Sequence, residues 1–197
     1  MPEITASLVK ELRDKTGLGM MTCKEALMAC EGDTEKAIDW LRKKGLDAAG
    51  KRTGRATKEG AVGSYIHMNG RIGVLVELNS ETDFVARSDD FQQLLRDLCM
   101  QVAATAPLAV SSEDVDEAVI AKEREIYADQ VTDKPAEVIE KIVEGKLKKF
   151  FKEQCLLEQP FVKDPDVTVG DLIKNVMAKI GENITVRRFT RYQLGED

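Results

Sequence analysis

The strongest constraint on the fold of this chain is the dipeptide Asn69-Gly70, which separates two stretches typical of β-strands. Residues 61–68 precede it and residues 71–78 follow it, with two β-branched residues in the first stretch and three in the second. Asn-Gly readily adopts the positive φ angles of a two-residue hairpin turn. The turn therefore predicts an antiparallel hairpin whose register places Ile66 opposite Gly73.

Both faces of this hairpin carry apolar side chains, because successive side chains alternate between the two faces of a strand. One face is predicted to carry Val62, Ile66, Met68 and Leu75, and the other Tyr65, Ile72, Val74, Val76 and Leu78. Helices of the same chain can cover one of these faces. The other face needs a different cover, and a second copy of the protein would supply one.

The composition is that of an ordinary globular protein. The chain has 197 residues, of which 43% are hydrophobic and 32% are charged, which is enough for one domain and a small module. The net charge of -6 argues against a protein held on nucleic acid, because phosphate binding needs a dense basic surface. The apolar runs are far shorter than the roughly 20 residues that cross a bilayer, and residues 1–5 do not resemble a signal peptide. We therefore expect a cytoplasmic protein with no membrane partner.

Residues that carry chemistry are sparse. Cys23, Cys30, Cys99 and Cys155 form no CxxC pair and His67 is the single histidine, so we predict no metal site. We interpret the cysteines as small buried hydrophobic side chains. The sequence has no P-loop, dinucleotide-binding, HExxH or GxSxG motif. We expect no covalent catalysis and no cofactor.

Residues 1–45 are predicted to form a docking module of three short helices. Thr5 is a candidate N-cap of the first helix and Gly17 its stop. Thr22, which has Glu25 three residues later, is predicted to start the second helix, and Asp33 the third.

The connection between the first two helices, residues 17–21, contains consecutive apolar side chains that cannot all point into so small a core. We therefore expect some of them to face outward. The alternative is that Met20 or Met21 closes the bundle, since methionine often fills irregular gaps.

Residues 46–59 are predicted to be a basic linker. From Arg42 to Lys58 the sequence is basic and rich in glycine and alanine, and it shows weak apolar periodicity. We interpret these charges as solvated, although their sign would suit an acidic partner surface.

Residues 60–197 are predicted to form a core domain of the α+β class. Ser88 is expected to cap a helix that packs on the hairpin, Pro135 to open another helix and Thr168 to cap a last one. A short extended connector is predicted at residues 159–162.

Residues 183–194 alternate as a strand that can complete a three-stranded antiparallel sheet. Uniform alternation would place Ile184, Val186 and Tyr192 on one side and Phe189 on the other. The predicted architecture is therefore a three-helix bundle, a basic linker, and a three-stranded antiparallel sheet packed with helices.

The segment Thr82-Asp83-Phe84-Val85 follows the second strand of the hairpin and is the candidate binding site. Binding residues tend to lie on loops held by rigid elements. The alternative is structural, with Phe84 packed between sheet and helix and Asp83 capping the coming turn.

Several of these segments resemble the elongation factor Ts family. Thr82-Asp83-Phe84-Val85-Ala86, after the strand at residues 73–78, resembles the family signature. Residues 12–21, Gly32-Asp33 and residues 37–41 resemble its N-terminal module. Further similarity, which extends the resemblance over nearly the whole chain, lies in residues 145–150, 159–162 and 184–188.

The resemblance implies a guanine nucleotide exchange factor with no enzymatic chemistry, which promotes release of GDP from elongation factor Tu during translation elongation. The matching residues imply two sets of contacts with that partner. Arg13, Met20 and Met21 bind its G domain, and Asp83 and Phe84 act near its Mg²⁺ and phosphate site, with Thr82 and Val85 as further partner-binding residues. Longer members of the family carry two core repeats, whereas this sequence has one. We therefore expect a homodimer that forms through the three-stranded sheet.

A function of another class is also open. The N-terminal bundle resembles the ubiquitin-associated fold, so the chain could be an adaptor whose bundle presents clients. Deleting residues 1–45 separates the two hypotheses, because an adaptor would lose all activity and an exchange factor would keep a residual activity through Asp83 and Phe84.

Overall fold

The computed structural model describes residues 4–50, 52–131 and 134–196, without the side chains of residues 46–49. Its helices are α1 (Ala6–Thr16), α2 (Met20–Ala29), α3 (Thr34–Gly50), α4 (Asp83–Ala86), α5 (Asp89–Thr105), α6 (Glu117–Asp129), α7 (Ala136–Gln154) and α8 (Val169–Ile180). Its strands are β1 (Glu59–His67), β2 (Ile72–Ser80), β3 (Pro160–Phe161), β4 (Asp164–Thr168) and β5 (Ile184–Gln193). The predicted α+β class is confirmed. None of the helices in the described ranges has the length and hydrophobicity of a membrane-spanning segment.

The β1–β2 hairpin forms in the predicted register, with Ile66 opposite Gly73. Its turn has positive φ angles at Asn69 and Gly70, as the Asn-Gly pair predicts, and also at Met68. The left-handed conformation of Met68 could not be predicted, because methionine is not a residue type that favours positive φ.

Strand β5 pairs antiparallel with β2, and the sheet has the order β1-β2-β5. The three-stranded antiparallel sheet is therefore confirmed, but uniform alternation along β5 was wrong. Arg187 is the extra residue of a bulge between Val186 and Arg188. One extra residue reverses the alternation, so Val186 before the bulge and Phe189 after it both pack against the inner core.

The main hydrophobic core lies between the inner face of this sheet and helices α5 and α8. Val74, Val76 and Leu78 of the central strand are buried in it, on the face where the hairpin register predicts them. Helix α5 approaches β1 closely at Gly63, where a β-carbon would lie 2.6 Å from Leu95 Cγ. This contact requires glycine and fixes α5, the helix that follows the candidate binding segment, on the hairpin.

Helices α1, α2 and α3 form a second core, made of Val9, Leu12, Cys23, Ala26, Leu27, Ala37 and Leu41. Thr5 and Gly17 cap α1 as predicted. Asp33 starts α3 as predicted, because its Oδ1 accepts a hydrogen bond from the Lys36 backbone N–H at 3.0 Å. The predicted start of α2 at Thr22 was wrong.

Helix α2 begins two residues earlier, at Met20, because Gly19 adopts the extended backbone of an N-cap residue. Helix α3 continues to Gly50, so the segment predicted as a basic linker begins in a helix. Helix α3 also packs on α8, and a β-carbon at Gly45 would lie 3.1 Å from Ala178 Cβ. The division into residues 1–45, 46–59 and 60–197 stays a prediction.

Two features lie beyond the sheet. Helices α6 and α7 pack against each other as a hairpin. Strands β3 and β4 form a small antiparallel pair where the sequence predicted only an extended connector. This pair was missed because β3 is only two residues long.

A buried polar cluster joins α5 to β3. Gln101 is fully buried, and its Nε2 donates to Gln159 Oε1 and to the Pro160 carbonyl oxygen, both at 3.1 Å. Its Oε1 accepts a hydrogen bond from the Val162 N–H at 2.8 Å. Both polar atoms of the Gln101 side chain therefore have hydrogen-bond partners, as is usual for buried polar groups.

All four cysteines are free thiols, of which Cys23, Cys99 and Cys155 are buried and Cys30 is half-buried. Burial raises the pKa of Cys99 to about 11, which keeps its thiol neutral. The interpretation of the cysteines as small hydrophobic side chains is confirmed for the three buried ones.

Candidate functional site

The candidate binding segment, residues 82–85, has exposed side chains at Asp83 and Phe84 and a buried one at Val85; we call this segment the tip. Strand β2 ends at Ser80 and the single-turn helix α4 begins at Asp83. Thr82 caps this turn, since its backbone is extended and its Oγ1 accepts a hydrogen bond from the Val85 N–H at 3.4 Å. Val85 packs into the main core, whereas the side chain of Phe84 is 81% exposed. The alternative in which Phe84 packs between sheet and helix was therefore wrong.

The turn between α8 and β5 holds the tip in place. Glu182 lies in this turn, and its carboxylate accepts two hydrogen bonds from Thr82, one from the backbone N–H to Oε2 at 3.0 Å and one from the hydroxyl to Oε1 at 2.8 Å. Ser80 Oγ donates to the Thr82 carbonyl oxygen at 2.8 Å. The backbone of Thr82 is thus bonded on both sides, which fixes the start of α4.

Asp83 is exposed and forms an ion pair with Arg87, one helical turn later. Both side chains are mostly in solvent, so the pair stabilises the fold by at most about 1 kcal/mol. The alternative in which Asp83 caps the turn was wrong, because Thr82 occupies the N-cap position. The Asp83 carboxylate is therefore exposed, like the Phe84 ring, but is paired with Arg87 in this structure.

The second predicted set of contacts surrounds the connection between α1 and α2. Arg13 lies exposed in the last turn of α1, and Met20 and Met21 open α2. The Met21 side chain is 69% exposed, because the inner face of α2 is already occupied by Cys23, Ala26 and Leu27. The expectation of outward apolar side chains here is confirmed.

Lys179 of α8 contacts both the α1–α2 connection and helix α5, which follows the tip. A β-carbon at Gly17, which has a positive φ of 68°, would lie 2.9 Å from Lys179 Cε. The Lys179 Nζ also donates to Asp90 Oδ1 at 2.6 Å, in the first turn of α5. The α1–α2 connection therefore lies against α8, whose Lys179 reaches the helix that follows the tip. The predicted residues themselves remain on separate elements, with Arg13, Met20 and Met21 on α1 and α2 and the rest at α4.

Sequence reasoning missed Glu182. It stands between Gly181, which ends α8, and β5, and no local motif marks it. The signal that could have found it is the strand pairing, because Ser80 lies opposite Ile184 and the ends of β2 and β5 therefore meet. Within the described residues, no group of three or more histidine, cysteine or acidic side chains could hold a metal ion.

The outer face of the sheet is a second exposed surface. We call it the outer sheet face and define it by its exposed apolar side chains, Val62, Ile66, Leu75 and Tyr192. Arg188 and Glu77 form an ion pair beside them at 2.7 Å. Helices α5 and α8 cover only the opposite face, so no element among the described residues covers this one.

Comparison with known proteins gives consistent matches. A sequence model of the family described as "Elongation factor TS" matches residues 46–196. The chain is 58% identical over 198 residues to elongation factor Ts of Desulfosudis oleivorans, with 100% of both chains covered. It is 60% identical over 195 residues to elongation factor Ts of Carboxydothermus hydrogenoformans, covering 98% of this chain and 90% of that one. It is 55% identical over 197 residues to elongation factor Ts of Oleidesulfovibrio alaskensis, covering 99% and 100%.

Proposed function

The chain belongs to the elongation factor Ts family, and we propose that it is a guanine nucleotide exchange factor that promotes release of GDP from elongation factor Tu during translation elongation. It acts by inserting Asp83 and Phe84 near the Mg²⁺ and phosphate site of that partner, in the cytoplasm, and it transforms no substrate itself. The observation that carries this proposal is the 81% exposed ring of Phe84 beside the buried Val85.

The proposed step is mechanical. Mg²⁺ requires near-ideal octahedral oxygen geometry at short distances, so a small displacement of the partner's ligands weakens its hold on the metal and on GDP. Phe84 is a rigid apolar wedge with only two side-chain torsions, and its insertion would exclude water from the partner's site. Asp83, once its ion pair with Arg87 is broken, would add a negative charge close to the phosphates and further weaken their binding.

Linkage sets the size of the effect. Binding of this protein must weaken the affinity of the partner for GDP by the same ratio as GDP weakens the affinity of the partner for this protein. Each tenfold change in either affinity corresponds to about 1.4 kcal/mol. This protein must therefore bind the nucleotide-free partner tightly, and contacts of Phe84 alone would contribute only a small part of that binding energy. We propose that Arg13, Met20 and Met21 supply the rest by binding the partner's G domain. The exposed, adaptable methionine side chains support this role.

We also propose that two copies of the chain form a homodimer through the outer sheet face. Contiguous exposed apolar side chains usually mark an interaction surface. Val62, Ile66 and Leu75 would be buried by packing against the same strands of a second copy, as in two aligned sheets. Helices α5 and α8 pack on the opposite face of the sheet and leave this one open.

The experiment that tests the proposed function is release of a fluorescent GDP analogue from purified elongation factor Tu, with and without this protein. We expect the release rate to rise with the concentration of the protein and to reach a plateau. No acceleration at any concentration would contradict the proposed function.

A further inference from the structure

Two acidic side chains cross between the tip and the turn that joins α8 to β5. Glu182 accepts the backbone N–H and the hydroxyl of Thr82, at 3.0 and 2.8 Å. In the opposite direction, Glu81 Oε1 accepts the backbone N–H of Asn183 at 2.7 Å. We call this reciprocal arrangement of Glu81, Thr82, Glu182 and Asn183 the tip clamp. It joins two segments that are about a hundred residues apart in the sequence.

The tip depends on the clamp because its own helix is too short to be stable alone. Helix α4 has four residues, and a single helical turn gains too few hydrogen bonds to offset the cost of ordering its backbone. Val85 and Ala86 anchor its inner side, whereas the exposed ring of Phe84 contributes little to its own orientation. The position of Phe84 therefore follows from the backbone two residues earlier, at Thr82.

The hydroxyl of Thr82 connects Glu182 to the helical turn. Its proton is donated to Glu182 Oε1, which leaves its oxygen free to accept the N–H of Val85 at 3.4 Å. A carboxylate acceptor makes the first of these bonds stronger than a bond between neutral groups. One side chain thus orients both the entry to α4 and its first turn.

We propose that Glu182 is a positioning residue for nucleotide exchange, which holds Thr82 so that Phe84 and Asp83 are presented in one orientation before the partner is bound. This inference rests on the proposed function of the tip. A wedge that displaces groups in another protein must resist being displaced itself. Glu182 supplies that resistance by connecting the tip to β5 and α8. Preorganisation of this kind lowers the ordering cost at the moment of insertion.

Glu182→Ala should lower the maximal GDP release rate about tenfold, the size expected from losing hydrogen bonds to one charged group. It should leave the half-saturating concentration within about twofold, because Arg13, Met20 and Met21 are unchanged. Glu182→Gln, which keeps one acceptor oxygen, should give an intermediate rate. The matched control is Glu153→Ala, which breaks an exposed ion pair with Lys149 on α7.

A second readout does not involve the partner. In the free protein, Glu182→Ala should speed amide hydrogen exchange at Thr82 and Val85 and leave exchange in β2 and α5 unchanged. Thr82→Val removes the hydroxyl, and combining it with Glu182→Ala should slow GDP release less than the product of the two single effects predicts. If Glu182→Ala failed to fold, Glu182→Gln would carry the same comparison.

The outcomes separate the two proposals. Acceleration by the unaltered protein, with equal maximal rates for Glu182→Ala and the unaltered protein, would overturn the positioning role and leave the proposed function standing. A rise in the half-saturating concentration with an unchanged maximal rate would also overturn it. No acceleration by the unaltered protein would overturn both proposals.

Discussion

Phe84 and Val85 are consecutive residues of one helical turn, yet the Val85 side chain is 5% exposed and the Phe84 side chain is 81% exposed. Burial of a phenyl ring is worth about 1.5–3 kcal/mol, and this chain does not gain that energy in its own fold. The turn is nevertheless well fixed, through the core contacts of Val85 and the hydrogen bonds of Thr82. A large apolar side chain held in solvent by a rigid base is suited to binding another protein.

The first prediction concerns the N-terminal contact set. Met21→Ser should raise the concentration of the protein that gives half-maximal GDP release about tenfold, because it removes one apolar side chain from the contact with the partner. The maximal release rate should not change, since the tip is intact. Titration of elongation factor Tu with each variant gives both quantities.

Met28→Ser is the matched control for this substitution. Met28 is on the same helix and is also exposed, but it lies two turns away from Met21 and outside the proposed contact set. A loss of affinity equal to that of Met21→Ser would show that the effect is not specific to the connection between α1 and α2.

Deletion of residues 1–45 tests the adaptor hypothesis. Loss of all acceleration on this deletion would favour the adaptor hypothesis.

The second prediction concerns the outer sheet face. Ile66→Lys should convert the proposed homodimer into a monomer at micromolar concentration, because it introduces a charge that the interface would bury without a partner. Light scattering measures the mass of each form. Ile126→Lys, which changes an exposed isoleucine on α6, should leave the mass of the dimer unchanged. A monomeric unaltered protein at this concentration would contradict the proposed dimer.

The third prediction concerns stability. Gln101→Ala should lower the free energy of unfolding by roughly 2–4 kcal/mol, because it leaves a cavity and removes the partners of Gln159, Pro160 and Val162. Urea denaturation should show a lower midpoint with an unchanged slope. Gln93→Ala, at an exposed position of the same helix, should change the free energy by less than about 0.5 kcal/mol. Equal effects of the two substitutions would mean that the buried cluster does not stabilise the fold.

Much of the local structure could be predicted from the sequence because its signals are short-range. Asn69-Gly70 set the hairpin register, and Thr5, Ser88 and Thr168 cap their helices as predicted. Each of these features depends on residues within a few positions of one another. The segment 82–85 was singled out for the same reason, since it follows directly from the end of a strand, but only the family resemblance favoured an exposed Phe84 over a packed one.

What the sequence could not predict depends on long-range contacts or on the backbone itself. The bulge at Arg187 has no residue signature, so the alternation of β5 was predicted without it. Glu182 lies within hydrogen-bond distance of Thr82 only because β2 pairs with β5, a contact between segments far apart in the sequence. The start of α2 depends on the extended backbone of Gly19, which competes with the capping pattern of Thr22 and Glu25.

The fourth prediction concerns the Phe84 ring, on which the whole account depends. Phe84→Ala should leave the fold and the free energy of unfolding unchanged, because the side chain makes little contact with its own domain. It should slow GDP release from elongation factor Tu about 10- to 100-fold at saturating concentration, the effect expected from losing the burial of one phenyl ring.

The most direct measurement is therefore the stopped-flow rate of fluorescent GDP release with saturating Phe84→Ala protein, compared with the unaltered protein. Circular dichroism and urea denaturation of both proteins control for folding. We predict a large fall in the maximal release rate with a normally folded variant. A rate equal to that of the unaltered protein would contradict the claim that this side chain opens the nucleotide site of the partner.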